Sequence, residues 1–167
     1  MAKFPGRINT AVFISGRGSN LQSLIRYSKT KKSLIKIALV VSDNSNAKGL
    51  EYANNSKINN MFIKYSNRSN FENRSLKLLK KNNVELICLA GFMKILSVSF
   101  IKKFYKPILN IHPSLLPKYK GLNTHNRVIK NKEKYSGATV HIVSQKLDSG
   151  KIILQKKVKI IKSDSGR

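Results

Sequence analysis

The fold of this chain is decided by residues 8–20, which read INTAVFISGRGSN. Residues 8–14 form a short apolar run that favours a β-strand, and glycines follow it at positions 16 and 18. Over residues 20–29, apolar side chains recur at helical spacing, at Leu21, Leu24 and Ile25. The stretch therefore predicts a strand that turns sharply into a helix.

The same alternation continues along the chain. Apolar runs predict further strands at 35–41, 60–64 and 84–90, and helical patterns cover 47–55 and 70–82. Strands that alternate with helices predict an α/β fold, with a doubly wound, mostly parallel central sheet and helices on both faces. Ligands of such sheets gather at the carboxyl ends of the strands. The sequence contains no linker, repeat or low-complexity block, so we expect one domain over residues 1–167.

Composition restricts the class of protein. The chain has 167 residues, of which 41% are hydrophobic, and its single cysteine excludes an internal disulfide. That cysteine, Cys88, lies in an apolar run and is interpreted as a buried hydrophobic residue instead of a nucleophile. No apolar stretch approaches the roughly 20 residues of a membrane span, and no signal peptide is evident. We therefore expect a cytoplasmic protein without membrane partners.

The formal net charge of +26 is extreme. The basic residues are spread along the whole chain and form no single block, so we interpret the excess as compositional bias that also attracts anionic substrates. A basic nucleic-acid-binding protein is the alternative from a different class, although no nucleic-acid motif is present. The 7 acids and 3 histidines show no metal-ligand spacing, so no metal is expected.

The turn after the first strand can bind phosphate. Glycines let the backbone turn tightly, and the free N–H groups at a helix start suit an anion. The turn is not the dinucleotide fingerprint, because Leu21 stands where the third glycine should be, and it is not a P-loop. The plainer interpretation is an ordinary strand-to-helix turn capped by Ser19 or Asn20.

A second feature is an amide and an imidazole two residues apart, Asn110 and His112. On an extended segment their side chains point the same way, and Pro113 predicts the end of the strand. An amide N–H can stabilise an oxyanion and a histidine can donate or relay a proton. A satisfied histidine at the start of a loop is the plainer interpretation.

A third feature is Asp148, in the stretch LDSG at residues 147–150. A carboxylate beside His112 would favour the charged imidazole, whereas an Asp-x-Gly hairpin turn explains the same residues without chemistry. His141 alternates within a predicted strand at 138–143 and receives no catalytic role. His125 is predicted to lie in a loop, where it could touch substrate.

Several stretches together resemble the phosphoribosylglycinamide formyltransferases of purine biosynthesis. The resemblance covers nearly the whole chain and is most specific in LAGFMKIL at 89–96, NIHPSLLP at 110–117, KYKGLNTH at 118–125, GATVH at 137–141 and LDSG at 147–150. It implies the Rossmann-like formyltransferase fold. Family members continue with a further helix and strand beyond the position of Arg167, so we expect this chain to lack that extension.

The resemblance also implies residue roles. It assigns the ribonucleotide phosphate to Gly18, Ser19 and Asn20. It assigns the folate to Arg68, Met93, Lys94, Ile95, Leu96 and Asn110. It assigns catalysis to Asn110, His112 and Asp148.

The implied reaction is transfer of a formyl group from 10-formyltetrahydrofolate, as co-substrate, to the amine of glycinamide ribonucleotide through a tetrahedral oxyanion. No metal and no covalent intermediate are required. The implied partners are these small molecules, and a monomer or a homodimer is expected. A formyltetrahydrofolate hydrolase, or a formyltransferase that acts on another amine, would share the catalytic residues and stays open as an alternative.

Overall fold

The computed structural model describes residues 6–161 and 163–165. Within those residues the elements are β1 Ile8–Ile14, α1 Ser19–Ser28, β2 Ile35–Ser42, α2 Lys48–Asn55, β3 Asn60–Phe62, α3 Arg68–Lys81, β4 Leu86–Leu89, α4 Val98–Phe104, β5 Ile108–His112, α5 Thr124–Lys130, β6 Tyr135–Ile142 and β7 Ile152–Lys159. The chain divides into two compact units, residues 1–108 and residues 109–167. The expectation of one domain over the whole chain stays a prediction.

The first unit is built on a parallel sheet. Its strands follow the order β3-β2-β1-β4. β1 pairs in parallel with β2 on one side and with β4 on the other, and β2 pairs in parallel with β3. Because parallel neighbours need a crossover between them, each strand is followed by a helix, as the alternating sequence pattern predicts.

Helices cover both faces of this sheet. Successive side chains of β1 point to opposite sides, so β1 contributes to the packing on each face. Val12 belongs to an apolar cluster with Leu21 of α1, which covers one face. On the other face, Phe13 meets Phe71 of α3 and Phe100 of α4, with ring centroids 6.1 and 6.3 Å apart. Each such fully buried side chain contributes about 1.5–3 kcal/mol relative to exposure. The prediction of helices on both faces is confirmed for this unit.

The second unit is antiparallel. Residues 109–112 of β5 pair with β6, and β6 pairs with β7. In the first of these ladders Asn110 lies opposite His141, and His112 lies opposite Thr139. Directly opposed residues of an antiparallel pair share a face of the sheet, so this register brings together residues that are distant in sequence.

Several predicted boundaries were wrong. β4 begins at Leu86 instead of Val84, because the Val84 amide donates to the Leu79 carbonyl oxygen at the end of α3 and is withdrawn from the sheet. β3 ends at Phe62 instead of Lys64. The two helices of seven residues, α4 and α5, were not predicted, since two turns are too short for an apolar period.

Candidate active site

Two polar side chains project from the end of β5. Asn110 is half-buried and His112 is buried, and the strand ends immediately before Pro113, as the sequence predicts. Their two-residue spacing places both on one face of the strand. The fold therefore presents an amide and an imidazole side by side.

Asp148 reaches the same place from the connection between β6 and β7. Its backbone has a φ of 44°, in the left-handed region that aspartate tolerates better than most residues. Oδ2 accepts the Gly121 N–H at 2.8 Å and lies 3.4 Å from Nδ1 of His112. Both interpretations of the LDSG stretch therefore hold: the residue forms the turn, and its buried carboxylate faces the imidazole.

The surroundings of His112 fix where its hydrogens lie. Nε2 is 2.8 Å from the Tyr119 carbonyl oxygen, which can only accept, so Nε2–H donates to it. Nδ1 faces the Asp148 carboxylate, which is also an acceptor. Both ring nitrogens of His112 therefore face hydrogen-bond acceptors.

His141 is a member of this cluster that sequence reasoning missed. Its side chain is 2% exposed, and Nε2 lies 3.1 Å from Nδ2 of Asn110 and 3.6 Å from Oδ1 of Asp148. Nδ1 is 3.0 Å from the Ile142 carbonyl oxygen and therefore carries the hydrogen. Neutral Nε2 then accepts one amide hydrogen of Asn110, which fixes the amide plane and leaves the second hydrogen free to donate. Alternation within a strand was the available signal, but it cannot reveal the cross-strand partner.

The carbonyl that holds His112 is itself anchored. The Tyr119 hydroxyl donates to Glu133 Oε1 at 2.8 Å, and the Lys118 ammonium donates to the same oxygen at 3.0 Å. These two hydrogen bonds, that from Lys118 first, lower the pKa of Glu133 below its ordinary value. The segment at 118–121, which contacts both His112 and Asp148, is thereby tied to the residues before β6.

His125 lies in the first turn of α5, not in the predicted loop. It is exposed and lines a cavity of about 420 Å³ together with Pro113, Val128 and Gly137. Contact of this histidine with substrate stays a prediction.

The glycine turn of the first unit is shaped for close backbone approach. Gly18 has a φ of 76°, and a Cβ there would lie 2.6 Å from the Cα of Gly49 in α2. Gly18 is also the N-cap of α1, and no side chain caps that helix, so the expected cap by Ser19 or Asn20 was wrong. An L-residue disfavours the left-handed backbone that the turn requires, so glycine takes the N-cap position. The amides of the exposed Ser19 and Asn20 are left for an anion.

Four of the other predicted ligand residues of this unit, Met93 to Leu96, lie in the segment between β4 and α4. The Met93 amide donates to Ser15 Oγ at 2.8 Å, and the Lys94 ammonium lies 3.9 Å from Asp43 and 5.1 Å from the Tyr65 ring centroid. Met93 and Ile95 are 63% and 57% exposed, whereas Leu96 is buried. Arg68 is exposed at the first position of α3.

Cys88 is partly buried and packs against the apolar cluster of the first unit, and burial raises the pKa of its thiol to about 11. A thiol with that pKa stays protonated near neutral pH, which is consistent with its interpretation as a packing residue.

No helix in the described ranges is long and apolar enough to cross a membrane.

The fold agrees with comparisons against known proteins. A sequence model of the formyl transferase family matches residues 8–167, so the chain belongs to that family. It is 44% identical over 158 residues to phosphoribosylglycinamide formyltransferase of Haemophilus influenzae, covering 93% of this chain and 74% of the relative. It is 43% identical over 157 residues to the trifunctional purine biosynthetic protein adenosine-3 of Gallus gallus, covering 92% of this chain but 16% of that protein.

Among solved structures, glycinamide ribonucleotide transformylase 1 from Symbiobacterium toebii superposes with a TM-score of 0.94 at 33% identity. The alignment covers 99% of this chain and 80% of that one. The predicted α/β class, with its mostly parallel sheet between helices, is therefore confirmed.

Proposed function

We propose that this chain transfers the formyl group of 10-formyltetrahydrofolate to the amine of N1-(5-phospho-D-ribosyl)glycinamide, a step of purine (IMP) biosynthesis. The observation that carries the proposal is His112, held between the Asp148 carboxylate and the Tyr119 carbonyl with the Asn110 amide on the same strand. The relatives named for this reaction set the expectation of the substrates.

Asn110 and His112 stabilise the charge that develops in the reaction. The amine attacks the formyl carbon on N10 of the folate, and the carbonyl oxygen becomes an oxyanion. Nδ2 of Asn110 donates one hydrogen to His141 and directs the other at this oxygen. The imidazole of His112, on the same face of β5, acts as the second donor to this oxygen.

Asp148 faces the His112 imidazole and helps to move protons. The attacking amine loses one proton and N10 of the leaving folate gains one, so the transfer is balanced without an outside acid. A water held by the Asp148 carboxylate carries that proton. When the intermediate collapses, the C–N10 bond breaks and formylated ribonucleotide and tetrahydrofolate are released.

The first unit supplies the proposed binding residues except Asn110, which lies in the second unit. The uncapped amides at Gly18, Ser19 and Asn20 hold the ribonucleotide phosphate. Exposed Met93 and Ile95 offer apolar contact to the folate, and the other proposed folate residues are Arg68, Lys94, Leu96 and Asn110. The fully exposed Arg68 guanidinium suits an anionic part of that co-substrate.

A formyl-transfer assay on the purified chain tests the proposal. We expect formylation of glycinamide ribonucleotide, and we expect Asn110→Ala and His112→Ala each to lower kcat by about 100- to 1,000-fold, as removal of one oxyanion donor does. Asp148→Asn should lower kcat and change its pH dependence, because it removes the ionisable carboxylate that faces the His112 imidazole. Glu51→Gln, an exposed acid on α2, is the control and should keep wild-type turnover.

Formate release identifies the competing reaction. A hydrolase would release formate from the folate at the same rate with or without the ribonucleotide. Such release, or wild-type rates in Asn110→Ala and His112→Ala, would contradict the proposed transfer.

A further inference from the structure

A buried carboxylate lies outside the catalytic cluster. Glu72 is in the second turn of α3, and its residue is 7% exposed. Both oxygens are used: Oε1 accepts the Ser97 backbone N–H and Oε2 accepts the Ser97 hydroxyl, each at 2.6 Å. A buried carboxylate is costly unless it is hydrogen-bonded, so this two-point contact with one residue is what allows Glu72 to be buried there.

Ser97 lies between the segment at 93–96, called here the exposed segment, and the first residue of α4. It is the N-cap of that helix, and its Oγ accepts the Phe100 N–H at 3.0 Å. The same hydroxyl therefore caps α4 with its oxygen and donates its hydrogen to Glu72. Polarisation along such a chain strengthens both bonds, and the negative charge suits a helix N-terminus.

The exposed segment is consequently held at two points. Near its start the Met93 amide donates to Ser15 Oγ, and at its end Ser97 is bound to Glu72. Lys94 and Ile95 lie between these anchors. Among the hydrogen bonds of the described residues, neither of their side chains bonds to Ser15 or to Glu72. The conformation of their backbone is set by the two anchors.

The helix that carries Glu72 also carries Arg68, one turn earlier. Residues four apart on a helix lie on the same side of it. Glu72 thus ties the helix that presents Arg68 to the segment that presents Met93 to Leu96, so that one carboxylate fixes two parts of the proposed folate site in the first unit.

We propose that Glu72 is a positioning residue for the folate co-substrate and touches neither the substrate nor the reacting atoms. This inference rests on the proposed function. In Glu72→Gln, one oxygen still accepts the Ser97 N–H, but the Ser97 hydroxyl loses its acceptor and the negative charge is gone. The segment then spends less time in the conformation that binds folate, and the apparent affinity falls by that fraction.

The test is a comparison of two Michaelis constants in Glu72→Gln and in a matched control. If the competent conformation falls to about a tenth, KM for the formyl-folate rises about tenfold, whereas kcat and KM for the ribonucleotide change less than about twofold. Ser97→Ala keeps the backbone N–H bond to Glu72 but removes the hydroxyl bond and the cap of α4, so it should raise the same KM as well. Glu85→Gln removes an exposed acid just before β4 and should change none of the three constants.

Two further measurements separate the possible failures. Hydrogen exchange at the Ser97 and Phe100 amides should accelerate in Glu72→Gln, and the melting temperature shows whether the variant is folded. Faster exchange with an unchanged folate KM, or equal increases of both KM values, overturns the positioning role. Binding of a folate analogue that cannot transfer its group is measured without turnover: a wild-type chain that binds it but transfers nothing contradicts the proposed function alone, and tenfold weaker analogue binding by Glu72→Gln still supports the role of Glu72.

Discussion

The contact between His141 and Asn110 makes a quantitative prediction. In His141→Leu the new side chain has a similar volume and suits the buried site, but the acceptor for the Asn110 amide is lost. An unsatisfied buried donor costs about 1–3 kcal/mol, but the half-buried Asn110 can turn toward water, so the lower part of that range applies. A loss of about 1–2 kcal/mol in positioning lowers kcat by roughly 5- to 30-fold.

This decrease is smaller than that expected for Asn110→Ala, because the amide is still present and is only less well oriented. The decisive assay is a double-mutant cycle with kcat measured for His141→Leu, Asn110→Ala and the double variant. If His141 acts through Asn110, the double variant should be no slower than Asn110→Ala alone. The melting temperature of each variant, followed by circular dichroism, shows that the fold persists.

Additive effects in the cycle would refute this reasoning. They would mean that His141 contributes independently of Asn110, for example through Asp148, whose Oδ1 lies 3.6 Å from Nε2. Wild-type kcat in His141→Leu would likewise show that the amide needs no partner.

Two other predictions concern the turn after β1 and the anchor of Tyr119. Gly18→Ala places a Cβ 2.6 Å from the Cα of Gly49 at a φ of 76°. We therefore expect KM for the ribonucleotide to rise and the free energy of unfolding, measured by urea titration, to fall by about 1–2 kcal/mol. Gly16→Ala, where nothing lies within 4 Å of the added Cβ, is the control, and equal effects in both variants would contradict the close-approach argument. The lowered pKa of Glu133 means that its contribution to stability is present above the ordinary value of 4.5 and is lost as the pH falls through the lower folded value. On acidification below that value, the free energy of unfolding measured by chemical denaturation should therefore fall less for Glu133→Gln than for wild type. Parallel plots of that free energy against pH would contradict the role given to the Glu133 carboxylate.

The sequence predicted the parts of the fold that depend on local pattern. The apolar run at β1 gave the strand bounds as the structure has them, and alternation of strands with helices gave the parallel sheet of the first unit. α4 and α5 were missed because a helix of two turns leaves little periodic signal.

The candidate site was predicted in part for the same reason. Asn110 and His112 share a strand face, which spacing alone indicates. Asp148 was singled out as a candidate partner of His112, and the resemblance to a family assigned it to catalysis. His141 and Glu72 could not be found from local pattern. The partner of His141 is set by strand register and that of Glu72 by the packing of α3, and neither relationship appears in the spacing of residues along the chain.

The pairing of β5 with β6 sets which changes in chain length the cluster can survive. Leu109, Asn110, Ile111 and His112 face Ile142, His141, Val140 and Thr139 in an unbroken ladder. A slip by one residue turns every side chain of a strand to the opposite face. Deletion of a single residue inside β6 would therefore carry the His141 imidazole away from Asn110, even if β5 and β6 stayed paired. Added residues in the connection from 131 to 134 would lengthen a surface turn and leave that pairing intact. Insertions and deletions in this half of the protein are thus tolerated or destructive according to whether they fall between strands or within them.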